Sequence, residues 1–284
     1  VPQIENYFMP AIRFLLSLAF LLAVTLPLRA EETTAPQRIV SINLCADQYL
    51  LELADDSQIA GLTRFSRDPA MSFHFERARH MPIVPVSAEA ILQLDPDLVL
   101  ASRYRDTNTK IMLRKFGLRV VEIGRAETVE LMIEQTREVA ALIGWEERGG
   151  RLASVLEELE TVEATASRKS ALVYQRRGYI SGTGTIVAEA MRLAGIDNQA
   201  EKMGRRAVSH ASLEEIVLNP PDYLIIEDIS GQPHDIGSQL LRHPALTRLF
   251  SEDRIVSMSS ALTVCGGPPF PAAVGTLRRA ISRQ

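Results

Sequence analysis

The run from Ser87 through Glu89 and Ile91 to Pro96-Asp97 returns near the other end of the chain as Ser212, Glu214, Ile216 and Pro221-Asp222, in the same register. Each copy opens with a serine that can cap a helix and an acidic residue placed where the helix dipole favours it. Apolar residues follow, and Pro-Asp ends the helix. Next comes Leu98-Val99-Leu100-Ala101 in one copy and Tyr223-Leu224-Ile225-Ile226 in the other, short aliphatic runs that suit a buried parallel strand. A unit seen twice, at a separation far beyond the roughly 20–50 residues of stacked repeats, predicts two similar α/β lobes with a cleft between them.

Arg13, the apolar run Phe14–Val24 and the segment Pro27-Leu28-Arg29-Ala30 read as a secretory signal peptide cut after Ala30, and the residues before Met9 read as lying upstream of the true start. An uncleaved anchor needs about 20 apolar residues, whereas this run is interrupted at Thr25 and Pro27. No cysteine closes it, which disfavours a lipid anchor. Without residues 1–30 the net charge is about −5. That balance argues against nucleic acid, whose phosphates are neutralised by Lys and Arg. A soluble periplasmic protein is the expectation.

Beyond the leader, strands alternate with helices. Arg38–Ile42 is a strand and Cys45–Leu53 the helix after it, with Asp47 near its start; Gln58–Thr63 and Leu118–Ile123 are further strands of a first lobe over 31–127. Residues 128–168 form a helical connector, with Leu152, Val155, Leu156 and Leu159 on one stripe and a break at Gly149-Gly150. A second lobe over 169–284 begins at Ala171–Tyr174, turns tightly through Gly182-Thr183-Gly184, and includes a helix from Ile186 to Ala194 and a strand at Arg254–Met258. The predicted fold is thus two α/β lobes with parallel sheets, joined by a long rigid connector helix, which predicts small closure on binding.

Ligands of open parallel sheets gather beyond the carboxyl ends of the strands. The loops there are Arg64-Phe65-Ser66-Arg67-Asp68, Arg103-Tyr104-Arg105-Asp106 and Gln175-Arg176-Arg177-Gly178-Tyr179, each an aromatic beside arginines. Guanidinium groups bind carboxylates in bidentate fashion and stack on rings, which suits an anionic ligand with flat parts; solvated arginines paired with Asp68 and Asp106 are the alternative. Cys45 and Cys265 are the only cysteines, and in an oxidising compartment they form either a disulfide, the expectation, or two separately buried thiols. The five histidines lack the spacing of a metal site, and no nucleophile elbow is present, so neither a resident metal nor catalysis is expected. No cofactor is expected.

With leader, two lobes, connector, the paired Glu/Pro-Asp units, Arg38-Ile39-Val40-Ser41 and Leu193-Ala194-Gly195-Ile196-Asp197-Asn198 assembled, the chain from about Arg38 onward resembles the iron-chelate and vitamin B12 periplasmic binding proteins of ABC importers. The resemblance implies a monomeric receptor that carries a metal chelate (ferric siderophore, haem or corrinoid) to permease subunits. It implies docking to the permease through Glu89 and Glu214, and cargo contacts from Asn43, Arg64, Phe65, Arg103, Tyr104, Tyr179 and Glu227. The cobalamin binder of that family has a tryptophan-rich cleft, whereas here Trp145 is the only tryptophan and lies in the connector. With the arginine loops, this favours a ferric siderophore or haem over a neutral corrinoid. A receptor for bare zinc or manganese is the alternative on the same architecture, and a periplasmic enzyme a more distant one.

Overall fold

The computed structural model describes residues 35–161, 169–227, 241 and 243–282; the segment read as a signal peptide lies outside them. In the first lobe β1 (Ile39–Ser41), β2 (Ile59–Gly61), β3 (Leu98–Ser102) and β4 (Val120–Ile123) form one parallel sheet in the order β2-β1-β3-β4. All of β1 and the residues Leu98–Ala101 of β3 are buried, as expected of central strands covered on both faces. The helices of this lobe are α1 (Leu44–Leu53), α2 (Phe75–Ala78), α3 (Ala88–Leu92) and α4 (Thr107–Lys115).

The second sheet contains β5 (Ser170–Tyr174), β6 (Tyr179–Ser181), β7 (Asp197–Asn198), β8 (Val208–His210), β9 (Tyr223–Glu227) and β10 (Ile255–Met258). Its order is β10-β9-β5-β6-β8, with β7 beside β5. Strands β10, β9, β5 and β7 are parallel, while β6 runs antiparallel to β5 and to β8, an addition to the expected parallel arrangement. The cause is local. Only residues 175–178 separate β5 from β6, with Arg177 and Gly178 both left-handed (φ 61° and 78°), and a parallel crossover needs about a dozen residues or more.

The repeated unit does the same work in both lobes. The Ser87 hydroxyl accepts from the Ala90 N–H at the start of α3, and Ser212 accepts from Glu215 at the start of α9 (Leu213–Leu218). The Asp97 carboxylate accepts the backbone N–H groups of Gln37 (2.7 Å) and Arg38 (3.1 Å), just ahead of β1. Its counterpart Asp222 accepts the N–H and hydroxyl of Ser170 (2.8 and 2.9 Å), at the start of β5. The Ser170 N–H also holds the Asp222 carboxyl below the usual carboxylate range. Each aspartate therefore pins the beginning of the strand next to its own.

The connector departs from a single long helix. It consists of α5 (Val129–Ile143) and α6 (Glu146–Thr161), and the break falls at Gly144 (φ 80°), where the Trp145 N–H reaches back to the Ala140 carbonyl at 2.8 Å. Gly149 and Gly150 lie inside α6. A Cβ on Gly149 would stand 2.2 Å from the Ala140 Cβ, so this glycine lets the two helices touch; Gly150 faces open space. The helices fold back as a hairpin braced by Arg137 and Glu157 (2.6 Å).

One buried cluster runs through both lobes. It joins Leu50 and Leu53 of α1, Ile143 and Leu156 of the hairpin, Met191 of α7 (Ile186–Leu193) and Phe270 of α11 (Phe270–Ser282). The remaining short helices are α8 (Gln199–Lys202) and α10 (Pro244–Leu249). A disulfide links Cys45, in the first turn of α1, to Cys265, 220 residues later in the loop before α11. The Ser260 hydroxyl adds a hydrogen bond to the Ala70 carbonyl (2.7 Å) across the same junction.

Candidate functional site

In the first lobe the strands end on a shared rim. Asn43, directly after β1, caps α1 by accepting from the N–H groups of Cys45 (3.0 Å) and Ala46 (3.3 Å). After β2 the chain makes a 3-10 turn, Arg64–Arg67, in which the Arg64 guanidinium lies over the Phe65 ring, 4.7 Å from its centroid. Arg67 is spent on structure, donating to the carbonyls of Ala78 (3.1 Å) and Met81 (2.6 Å). After β3 comes the loop Arg103–Asp106, which holds Tyr104 61% exposed.

Two adjoining cavities open on this rim. One, of about 720 Å³, is lined by Asn43, Arg64, Phe65, Met71, Arg105 and Asp106 among others, with apolar side chains such as Val84 and Val86 in its wall. The second, of about 480 Å³, is bordered by Asn43, Tyr104, Arg105, Arg125 and Gln135 on one side and by Ile186, Val264 and Cys265 on the other. It lies between the lobes, and the disulfide forms part of its wall. Asn43 and Arg105 border both, so the two spaces adjoin and together make up one recess at the rim. Arg125 is paired with Glu127 (3.0 Å), whereas Arg64 and Arg105 bring positive charge to an otherwise largely apolar lining.

Two titratable side chains lie buried behind the rim. Asp47 is fully buried in α1 and accepts from the Thr63 N–H and hydroxyl; burial pushes its carboxyl up to about 7. Lys110 of α4 is 3% exposed, with Nζ 2.7 Å from the Ser102 carbonyl and 3.3 Å from Glu122. The Glu122 carboxyl is held low, chiefly by the Arg114 guanidinium.

Of the residues the sequence pointed to, Asn43, Arg64, Phe65 and Tyr104 come together around the recess. Arg103 lies along Gly124, where an added Cβ would stand 3.9 Å from its guanidinium carbon, and lines neither cavity. Tyr179 starts β6, edge-on to the His210 ring at 6.1 Å, and also lines neither. Glu227 ends β9 opposite Met258, and its side chain is outside the described residues. Arg125, Gln135 and Val264 were missed. Arg125 was within reach of the carboxyl-end rule, since it follows β4, whereas Gln135 and Val264 arrive by packing of remote segments and carry no local signal. Among the described residues no group of three or more His, Cys, Asp or Glu is arranged to hold a metal ion.

Glu89 and Glu214 are exposed in the first turns of α3 and α9. The neighbouring Glu215 is engaged differently: it closes a capping box with Ser212 and pairs with Arg205 at 2.5 Å.

The model of the periplasmic binding protein family matches residues 39–251, three quarters of the chain and both lobes that frame the recess. The chain belongs to the periplasmic binding protein family. Its curated relatives include a cobalamin-binding protein of Halobacterium salinarum, 24% identical over 219 residues, covering 74% of this chain. The match takes in 58% of that relative's length, so the chain spans little more than half of it. Among solved structures it is similar to the periplasmic haem-binding protein RhuT from Roseiflexus sp. RS-1 (23% identity, TM-score 0.68, covering 86% of this chain and 98% of that one). It is also similar to the periplasmic haem-binding protein HutB of Vibrio cholerae (18%, TM-score 0.71, 87% and 98%). A third is an ABC-type Fe3+-hydroxamate transport system protein from Saccharomonospora viridis (20%, TM-score 0.65, 87% and 93%). At these identities the structures establish the shared fold. This family member carries, among the described residues, no helix long and apolar enough to cross a membrane.

Proposed function

We propose that the protein is a periplasmic receptor that captures an anionic metal chelate, a ferric siderophore or haem, in the recess and delivers it to the permease of an ABC importer. The observation that carries this reading is the recess itself: largely apolar walls in its larger cavity, an exposed Tyr104, and Arg64 and Arg105 among the lining residues of the two adjoining cavities. Flat apolar surface packs against such walls, while arginine forks take carboxylate or other anionic oxygens of the cargo. The cargo named for the similar solved structures, haem and a ferric hydroxamate, agrees with this chemistry. The cobalamin-binding relatives favour a second reading, a corrinoid cargo. Calorimetric titration of the mature protein with haemin, a ferric hydroxamate and cyanocobalamin separates them. Stoichiometric binding of haemin or the hydroxamate, weakened about tenfold or more by Arg105→Glu, supports the proposal; binding of cyanocobalamin alone overturns it in favour of the second reading.

Delivery is assigned to Glu89 and Glu214. Both are exposed carboxylates at matching places in the two lobes, and charge complementarity is a common means of orienting such an encounter. Reversing both to Lys should abolish uptake while leaving cargo affinity intact. Uptake that persists in this variant rejects the docking role.

A further inference from the structure

The two buried titratable side chains behind the rim have a feature in common: each bonds the backbone at the base of a loop that faces the recess. Lys110 Nζ donates to the carbonyls of Ser102 (2.7 Å) and Arg103 (3.2 Å), the residues leading into Tyr104-Arg105. Asp47 accepts the N–H and hydroxyl of Thr63, the residue leading into Arg64-Phe65. Neither side chain lines either of the two cavities.

Burying a polar or charged group is unfavourable, and an apolar side chain of similar volume at either position would pack without that penalty. The four-residue turn after Ser102 also holds an unfavourable conformation, since Asp106 is a non-glycine residue at φ 57°. Such a backbone persists only where its surroundings over-determine it. The Tyr104 N–H donates to the Ser102 hydroxyl at 3.2 Å, so the hydroxyl of Ser102 and its Lys110-bound carbonyl fix the loop from two sides. Loops held in this way lose little conformational freedom when cargo binds, which raises affinity without adding a contact.

We infer that Lys110 and Asp47 are positioning residues, which hold the Tyr104-Arg105 and Arg64-Phe65 loops in their receiving geometry before cargo arrives. The inference rests on the proposed cargo site. Its test therefore has one arm that needs no cargo. Lys110→Met keeps the apolar stem and removes the donor, and Thr63→Val removes the hydroxyl bonded to Asp47 with almost no change of shape.

In cargo-free protein, hydrogen exchange at the amides of 103–106 should quicken about tenfold in Lys110→Met, and at 64–67 in Thr63→Val, with β3 and α1 unchanged. In the binding arm, whichever of haemin, a ferric hydroxamate and cyanocobalamin the wild type takes should bind Lys110→Met about tenfold more weakly; Thr63 itself lines the larger cavity, so Thr63→Val is read by exchange alone. Lys110→Arg, which keeps a buried cationic donor, should recover most of the loss. Exchange that stays at wild-type rates in both loops, or that rises evenly through the whole lobe, overturns the inference. If Lys110→Met does not fold, the near-isosteric Thr63→Val decides. If the wild type binds none of the three probes, the cargo reading fails, and the exchange comparison still decides whether Lys110 and Asp47 moor the loops.

Discussion

Replacing both Cys45 and Cys265 by alanine should cost the protein about 5 kcal/mol of stability. The magnitude follows from where the bridge sits. It closes a loop of 220 residues, and the chain entropy it removes from the unfolded state grows with the logarithm of loop length, reaching about 5 kcal/mol at this size against about 3 for a 15-residue loop. Alanine is the right replacement because Cys265 is 1% exposed, and a serine hydroxyl there would add a desolvation penalty of its own. For a domain of this length each kcal/mol moves the midpoint by about 2–4 °C, so the melting temperature should fall by roughly 10–20 °C. Equilibrium unfolding in urea, followed by far-ultraviolet circular dichroism, compares the oxidised wild type, the wild type under reductant and the double variant. The last two should agree. The transition should also remain single, because one buried cluster runs from α1 through the hairpin to α7 and α11. A loss below about 1 kcal/mol refutes the reasoning, since it would mean that the bridge does not constrain the unfolded chain. A variant that unfolds in two separate steps refutes the shared core.

Two further outcomes follow from the packing and the buried carboxylate. Gly149→Ala should destabilise by about 1–3 kcal/mol, because its Cβ would meet Ala140 at 2.2 Å, whereas Gly150→Ala, with nothing within 4 Å, should stabilise by about 0.5–1 kcal/mol through helix propensity; thermal melts of the pair decide. Asp47 has a folded-state pKa of about 7, above its unfolded value of 3.8, so its ionisation opposes folding. Its contribution is most favourable below pH 4 and worsens as pH rises towards 7, by an amount on the order of 4 kcal/mol for that gap. The stability of the wild type relative to Asp47→Asn should therefore decline between pH 4 and 7 and level off above; a flat difference across that range would contradict the buried-carboxylate account.

The doubled Ser/Glu/Pro-Asp unit was enough to read two α/β lobes, because capping, dipole complementarity and an aliphatic run are local properties that show in a single stretch of chain. The same locality explains the errors. The sequence reading placed the connector's break at Gly149-Gly150, since glycine disfavours helix; the structure puts it at Gly144, whose left-handed conformation ends α5, while Gly149 serves a neighbouring helix that sequence spacing does not reveal. Strand β6 went unrecognised because three residues carry almost no periodic signal, and its direction is set by the left-handed pair Arg177 and Gly178.

For the site, the rule that ligands gather at strand ends led to the loops of Arg64, Phe65 and Tyr104, and the family resemblance added Asn43; all four border the recess. Tertiary structure alone decided the rest. It turned Arg67 into a backbone clamp, set Arg103 along Gly124, brought Gln135 and Val264 to the second cavity, and placed the Cys45–Cys265 bridge in its wall. The sequence by itself determined which segments become strands and capped helices and which loops fall on the ligand side, because those depend on residues a few positions apart. Which side chains share one space depends on segments as much as 220 residues apart being packed together, and that is settled only when the two lobes close around a common core.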